Sequence, residues 1–428
     1  MAKQRRSVSD PAEEKSKPAS QSPSDNTTVT NPTSRRGKIL ALIITVIVIP
    51  CSSVLFYHFK FGLRDIPPTV PQIVEPGGLI KIDVDHQEIL REHSNVEENE
   101  THRHYTYPIL AYVTPWNSKG YEMVKRFSRK FTHISPVWYN LKSQGNELIL
   151  EGRHNADQGW ISDLRNLGDA LILPRVVVEA QPKEMLRSKE LTQKAIDLIV
   201  SECRDMEYDG IVLESWSRWM AYGVLYDPEL RNKALEFVKQ LGQALHSEKG
   251  PKQALKLFYV IAPPYSGNLQ AHDFGPEDLM STKDDVDAFS LMTYDFSGPQ
   301  NAGPISPFWW IQATLHLLLG NNTDSAHKIL VGINYYGNDY VTSGDGGSRA
   351  ITGREYIATL EKFRPQMEWE EMSMEHLFMY VDDDGSRHVV FYPSLMSLHV
   401  RLEEARLQGT GISIWEAGQG LDYFFHLL

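Results

Sequence analysis

From Tyr107 onward, short apolar runs alternate with longer stretches in which apolar residues recur every three or four positions. The longer stretches, such as 192–206, 230–246 and 395–408, have the periodicity of amphipathic helices. The short runs have the length and the β-branched content of strands, and there are eight of them: 109–113, 131–137, 170–178, 209–213, 255–262, 286–292, 328–336 and 411–415. Strands that alternate with helices form a parallel sheet, so this pattern predicts an α/β fold, a closed (β/α)₈ TIM barrel, over residues 107–428.

A segment between the seventh and eighth runs, about residues 338–392, is longer than an ordinary connection in such a barrel. It contains a helix-like stretch at 355–362 and two strand-like runs within 376–392. We therefore predict a small α+β insertion before the last strand, with a β-hairpin at its end. The run Asp382–Asp384 also resembles the start of a calcium loop, but the later ligand positions are missing, so we predict no metal site.

The apolar run at 39–59 has 21 residues without Asp, Glu, Lys or Arg, which matches the ~20 that cross a bilayer. Lys and Arg cluster on its amino-terminal side, so the positive-inside rule predicts a type II signal anchor with the barrel in the secretory-pathway lumen or outside the cell. Residues 1–38 lack apolar periodicity and should form a disordered cytosolic tail. Residues 60–106 are expected to form a stem. The alternative is a secreted or lysosomal protein released by cleavage.

Composition limits the classes of partner and the cellular compartments that fit this chain. The net charge of −12 argues against nucleic acid and against acidic polymers as main partners. Cys51 lies in the apolar run 39–59 and Cys203 lies far away in a helical stretch, so an intrachain disulfide is not expected. Two glycosylation sequons, at Asn99 and Asn321, would face the glycosylating side if the predicted orientation holds. No cofactor is predicted.

Chemistry in a barrel of this kind is located where the strands end, at its C-terminal face. Aromatic and acidic residues are concentrated at these ends, and aromatic rings stack on sugar rings while carboxylates accept hydrogen bonds from hydroxyls and amides. We therefore predict an oligosaccharide-binding cleft. Some of these rings could instead fill the core. The candidate contacts are Trp116, Trp138, Glu214, Trp216, Met292, Tyr294, Asp295, Tyr336 and Trp415, and Glu179 and Glu416 are further strand-end carboxylates.

Four of these segments resemble motifs of glycosyl hydrolase family 18, the chitinase family. YDGIVLESW (208–216) is similar to the signature D-G-x-D-x-D-x-E, LMTYD (291–295) to M-x-Y-D, GINYYG (332–337) to the seventh strand, and SIWE (413–416) to the eighth. The resemblance covers about residues 107–428 and extends to the insertion. The first strands and the C-terminal tail are also similar to those of a chitinase-like lectin of animals. The resemblance implies a cleft for chitin-type oligosaccharides made of N-acetylglucosamine (GlcNAc).

The signature differs from the family pattern at three positions. The resemblance implies a glutamate that acts as general acid at the last position, where this chain has Trp216, and an indole only donates a hydrogen bond. Val212 and Glu214 replace the two preceding aspartates. Residues 214 and 216 are expected on the same side of the strand, about 6.5 Å apart along it, so Glu214 would lie too deep to take over as the acid. In the family, the counterparts of Tyr294 and Asp295 contact the N-acetyl group.

These observations favour a non-catalytic lectin for GlcNAc-containing or other N-acetylated oligosaccharides. A weak glycosidase that uses Glu214, Glu179 or Asp295 is the first alternative. The second is a protein-binding scaffold with a vestigial cleft, which a membrane anchor would suit.

Overall fold

The computed structural model describes residues 75–96, 102–145, 147–264, 269–320, 323–344 and 346–428. The predicted tail (1–38), the predicted membrane segment (39–59) and both sequon asparagines, Asn99 and Asn321, lie outside these ranges. Among the described residues, none of the helices combines the length and the hydropathy that a membrane crossing requires.

Eight strand positions close into a parallel barrel within this part of the chain, as the pattern predicts, because β1 pairs with both its neighbours, β2 and β15. The third position is divided between two short strands around Pro174, which has no amide hydrogen to donate to a neighbouring strand. In chain order the barrel strands are β1 (Ile109–Val113), β2 (His133–Gln144), β4 and β5 (Leu171–Ile172 and Arg175–Val178), β6 (Gly210–Glu214), β7 (Lys256–Ile261), β8 (Ala288–Leu291), β9 (Ile329–Asn334) and β15 (Gly411–Trp415). Strand β3 (Glu147–Glu151) extends β2 as an antiparallel hairpin.

Helices cover the outside of the barrel. Their starts follow ordinary capping chemistry: the Asp227 side chain accepts the amide hydrogens of Glu229 and Leu230 at the start of the longest one, and Pro228 occupies its first turn. The helices outside the insertion are α1 (His86–Glu92), α2 (Ser118–Arg126), α3 (Gln158–Leu167), α4 (Pro182–Arg187), α5 (Lys189–Asp205), α6 (Trp216–Ala221), α7 (Pro228–Ser247), α8 (Pro276–Thr282), α9 (Phe308–Leu319) and α11 (Leu395–Leu407).

The barrel interior is a packed apolar core. It is filled from alternate positions of the strands by Leu110, Tyr112, Leu173, Val212, Phe258, Val260, Ala288 and Leu330. Val212 therefore occupies the position of the first replaced aspartate as an ordinary core side chain. The opposite face of each strand packs against the helices, since side chains alternate across a strand.

The insertion has the predicted α+β composition. Its sheet is antiparallel, with the order β11-β10-β14-β13-β12, and β13 and β14 form the expected hairpin around Asp382–Asp384. Its elements are β10 (Gly337–Val341), β11 (Gly347–Ile351), α10 (Gly353–Phe363), β12 (Met367–Glu370), β13 (Glu375–Val381) and β14 (Arg387–Phe391).

Part of the expected stem belongs to the folded domain. Helix α1 starts with a capping box at Asp85, and its Ile89 side chain is buried in the main core. The Tyr423 amide donates to the carbonyl of His93, and His376 bonds to the carbonyl of Ile82. The prediction of a stem over 60–106 is thus corrected for residues 75–96, because apolar residues in this short segment find a complementary surface on the barrel domain.

Candidate functional site

Trp216, the residue at the expected acid position, is buried outside the cleft. Strand β6 ends at Glu214 and helix α6 begins at Trp216, so the chain leaves the extended conformation between them. The indole is 1% exposed and donates to the carbonyl oxygen of His272 at 3.0 Å. Phe274 packs edge-to-face against it at 5.1 Å, and the Arg231 guanidinium lies 5.0 Å from its ring centre. The predicted sugar contact and the strand-like spacing of residues 214 and 216 are both corrected.

Trp138 is also a core residue rather than a cleft wall. Its side chain is 2% exposed, its indole nitrogen donates to the Tyr121 hydroxyl at 2.7 Å, and its ring packs near those of Trp160 and Tyr208. The pairing of β2 with β5 shifts register between Val137 and Tyr139, which changes the side from which the following residues project. The prediction that Trp138 contacts a ligand is corrected for this reason.

An arginine that the sequence analysis did not identify occupies the floor of the cleft. The Arg175 guanidinium forms an ion pair with the Glu214 carboxylate, which also accepts a 3.3 Å hydrogen bond from the Ser217 hydroxyl. Burial lowers the pKa of Arg175, although an arginine keeps its charge in proteins. Both carboxylate oxygens of Glu214 therefore already accept hydrogen bonds from the protein. The signal for Arg175 was its position as the one charged residue in the apolar run 170–178.

Trp415 lies next to Arg175 at the floor of the cleft. The guanidinium lies 5.2 Å from the centre of the indole ring, and the Tyr112 ring packs against the indole at the same centroid distance. Trp415 remains partly exposed, as do Met292 and Tyr294. Trp415 and Met292 also pack against the barrel-interior cluster. All three residues lie at the C-terminal end of the barrel, as expected from their positions at strand ends, and Arg175 covers part of the Trp415 indole.

Asp295 and Tyr336 form the polar side of the site. The Tyr336 hydroxyl donates a hydrogen bond to the Asp295 carboxylate, while the Tyr336 ring is buried at 6.3 Å from that of Tyr294. Asp295 is exposed as a residue, but the surrounding protein desolvates its carboxyl group and raises the pKa, against the lowering effect of the Tyr336 hydrogen bond. Asp295 is thus an exposed residue whose carboxyl group is easier to protonate than usual.

Trp116 lies at the rim of this end of the barrel with 71% of its surface exposed. Glu179, also at the rim, forms a 3.0 Å ion pair with Arg218 and lies 3.8 Å from Lys142. The rim thus offers an open aromatic face together with paired charges.

Glu416 follows Trp415 in the chain but faces away from the cleft. Its carboxyl group is fully buried, accepts a hydrogen bond from the Asn117 amide and another, at 3.1 Å, from the Gly418 amide. Burial raises its pKa to about 7, because those hydrogen bonds only partly replace water. Glu416 therefore ties the last barrel strand to the loop after β1 and is not a cleft residue.

No group of three or more His, Cys, Asp or Glu side chains within the described ranges has the arrangement of a metal site. In the turn that resembled a calcium loop, Asp382 and Asp383 pair with Lys362.

Comparison with known proteins gives the family. Residues 176–420, more than half of the chain, match the model for glycosyl hydrolases family 18. A cortical fragment-lytic enzyme of Bacillus anthracis is 27% identical over 166 residues, which are 37% of this chain and 38% of that protein. The chain thus matches well under two thirds of that relative's length.

Solved structures agree on the fold. A chitinase of Chromobacterium violaceum superposes with a TM-score of 0.62 at 21% identity, over 75% of this chain and 98% of that chain. A family 18 chitinase of Cycas revoluta, solved as a mutant with (GlcNAc)₄, gives 0.61 at 13% identity, over 74% and 97%. Together with the match over residues 176–420, the barrel and its insertion lead to one conclusion: the chain belongs to glycosyl hydrolase family 18.

Proposed function

We propose that this protein is a non-catalytic, membrane-anchored lectin that binds N-acetylated oligosaccharides at the C-terminal end of its barrel. The observation that carries the proposal is the state of the acid position: Trp216 is buried against Phe274, and its indole N–H donates a hydrogen bond to the backbone carbonyl of His272. A glycosidase needs a carboxylic acid that can protonate the leaving oxygen, and its loss typically lowers the rate 10²–10⁴-fold.

Glu214 does not replace the missing acid in this proposal. A general acid has to present a proton to the substrate, whereas both oxygens of Glu214 accept hydrogen bonds from Arg175 and Ser217. The Arg175 guanidinium also covers part of the Trp415 ring. The ligand is therefore expected to lie above this pair.

The groups around the pair support binding. Trp116 offers an exposed aromatic face for a sugar ring, and Asp295, which is exposed as a residue, offers a hydrogen-bond acceptor for an amide or hydroxyl group. Tyr294 and Met292 are partly exposed at the same end of the barrel. The complex of the Cycas revoluta chitinase with (GlcNAc)₄ supports GlcNAc oligomers as the first ligands to test.

The proposal also includes a subgroup within the family and a membrane anchor. The first strands, the fourth-strand tryptophan and the C-terminal tail of this chain resemble those of chitinase domain-containing protein 1, a chitinase-like lectin of animals. We therefore propose that this protein is its counterpart. The apolar run 39–59 would anchor this chain as a type II protein with the barrel in the lumen or outside the cell.

Titration calorimetry of the purified protein with chitotetraose tests the proposal. We expect measurable binding that weakens about tenfold in Trp116→Ala, because the stacking surface is lost. Leu407→Ala is the control, since Leu407 is an exposed apolar residue at the C-terminal end of α11, on the opposite side of the barrel. The absence of heat with chitotetraose and with other GlcNAc-containing glycans would contradict the lectin and favour a scaffold for a protein partner.

Asp295 supports a second candidate function, a weak glycosidase. It is accessible and its raised pKa favours the protonated form that an acid catalyst requires. This candidate predicts slow hydrolysis of a fluorogenic GlcNAc oligomer that disappears in Asp295→Asn and persists in Glu214→Gln. If the wild-type protein releases no fluorophore over a day at acidic and neutral pH, the glycosidase is excluded.

A further inference from the structure

A polar groove opens at the amino-terminal face of the barrel, the end opposite the cleft. It is formed where the segment before β1, the turn before β2 and the end of α3 meet, and its volume is about 770 Å³. The charged residues of its lining are Arg103, Arg129, Arg165 and Asp169. Three arginines and one aspartate thus line this groove, in a chain whose net charge is −12.

Two of the arginines are available to a ligand. The side chains of Arg103 and Arg129 form no ion pair and donate no hydrogen bond to any described residue, and Arg129 is exposed. An arginine held in a concave site without a carboxylate partner is a ready donor for an external anion, because its planar group offers several parallel N–H bonds.

The third arginine is held rigidly by a residue of the family signature. Arg165 donates to the carbonyl of Glu207, and its guanidinium lies 3.4 Å from the Asp209 carboxylate. Asp209 is buried at the start of β6 and also accepts the Ile172 amide hydrogen at 2.8 Å. The groove is therefore built on the barrel itself rather than on a loose surface loop.

We propose that this groove binds phosphate or sulfate ester groups carried on an oligosaccharide-sized polar molecule. The volume is many times that of one anion and lies within the usual range for organic ligands. The lining aromatic residue, Phe131, is buried, so it presents no open face for a nucleobase. Leu167 is the single exposed large apolar side chain of the lining, which is little for insertion into a lipid surface.

Calorimetry with a heparin-derived hexasaccharide, a sulfated oligosaccharide, tests the proposal on the full chain. We expect binding that weakens with added salt and loses at least about tenfold in affinity in the double variant Arg103→Ala/Arg129→Ala, because two charge-assisted contacts are removed. Arg387→Ala is the matched control, as this exposed arginine of β14 belongs to the insertion at the other end of the barrel. Chitotetraose binding at the cleft should be the same in all variants.

Each other outcome overturns the proposal. Equal losses in the double variant and in Arg387→Ala would show unspecific charge attraction. Inorganic phosphate that binds as tightly as the hexasaccharide would show a site for a free anion only. Binding to phosphatidylserine vesicles without binding to the hexasaccharide would show a lipid headgroup site. An unchanged affinity in the double variant would place the hexasaccharide elsewhere.

Discussion

Two buried arginine–glutamate pairs occupy very different surroundings in this barrel. Arg401 of helix α11 lies beside Glu375 of the insertion, where both side chains are almost inaccessible to solvent. Arg175 of strand β5 lies beside Glu214 of strand β6, at the floor of the cleft, where both retain some exposure. The first pair joins the insertion to the barrel, whereas the second lines a surface that a ligand can approach.

The two pairs differ in how completely their hydrogen bonds are satisfied. Glu375 accepts two backbone amide hydrogens, from Ile305 and Ser306, in addition to its contact with Arg401. Arg401 also donates to four backbone carbonyls: Ser306, Ser373, Met374 and Ser397. Arg175 has one carboxylate and the face of Trp415. A buried ion pair whose donors and acceptors all have protein partners stabilises the fold. A pair with fewer protein partners, beside a cleft, can exchange its contacts with water or a ligand.

Breaking the Arg401–Glu375 pair should have the largest effect. Arg401→Met removes the donor of four carbonyls and leaves Glu375 buried without its cation, so we expect the free energy of unfolding to fall by about 3–5 kcal/mol. Urea denaturation followed by tryptophan fluorescence measures it. Arg406→Met, on the same helix but at an exposed pair with Glu403, is the control and should change little. Equal losses in the two variants would contradict the distinction.

Glu416 shows what burial does to a glutamate without a contacting arginine. Its pKa is about 7 in the folded protein against an ordinary value of 4.5. The folded state therefore holds this proton between about pH 4.5 and 7 while the unfolded chain has lost it, so stability is greatest below this window and falls as the pH rises through it, by about 3 kcal/mol in total.

Glu416→Gln should remove this pH dependence. The variant is expected to gain stability over wild type at pH 8 and to match it at pH 4, where Glu416 is protonated in both states, because a neutral amide can keep hydrogen bonds with Asn117 and Gly418. Thermal unfolding at both pH values measures it. A wild-type contribution that instead grew between pH 4.5 and 7 would contradict the raised pKa.

The cleft pair should matter less for stability than the pair at the insertion. In Arg175→Ala, water can reach the Glu214 carboxylate from the cleft, so we expect a loss of about 1–3 kcal/mol in the free energy of unfolding. The same urea denaturation compares it directly with the Arg401 variant. A loss as large as that of Arg401→Met would show that the floor pair is structural too.

The smallest expected effect concerns ligand affinity. Arg175→Ala uncovers the Trp415 ring, and an added stacking contact should tighten chitotetraose binding about two- to tenfold. Arg218→Ala, which removes a rim arginine that pairs with Glu179 and not with the floor, is the calorimetric control. Weaker binding in Arg175→Ala would show that the guanidinium itself contacts the sugar.

Much of the fold was predictable because its signals are local. The eight strand runs, the helices between them and the hairpin of the insertion each follow from periodicity within a few residues. The expected stem failed at 75–96 because the partner of Ile89 is the barrel core, far away in the sequence. The positions of Trp116, Met292, Tyr294, Asp295 and Trp415 at the C-terminal ends of the strands also follow from the sequence pattern.

The sequence by itself thus determined the barrel, the loss of a carboxyl group at residue 216 and the set of aromatic and acidic residues at the C-terminal end of the barrel. Only the tertiary structure decided which side chains face the cleft. Trp216 turns away because a helix begins at that residue, and Trp138 because a register shift precedes it. The Arg175–Glu214 pair joins residues 39 positions apart on neighbouring strands, and no local pattern encodes such a contact.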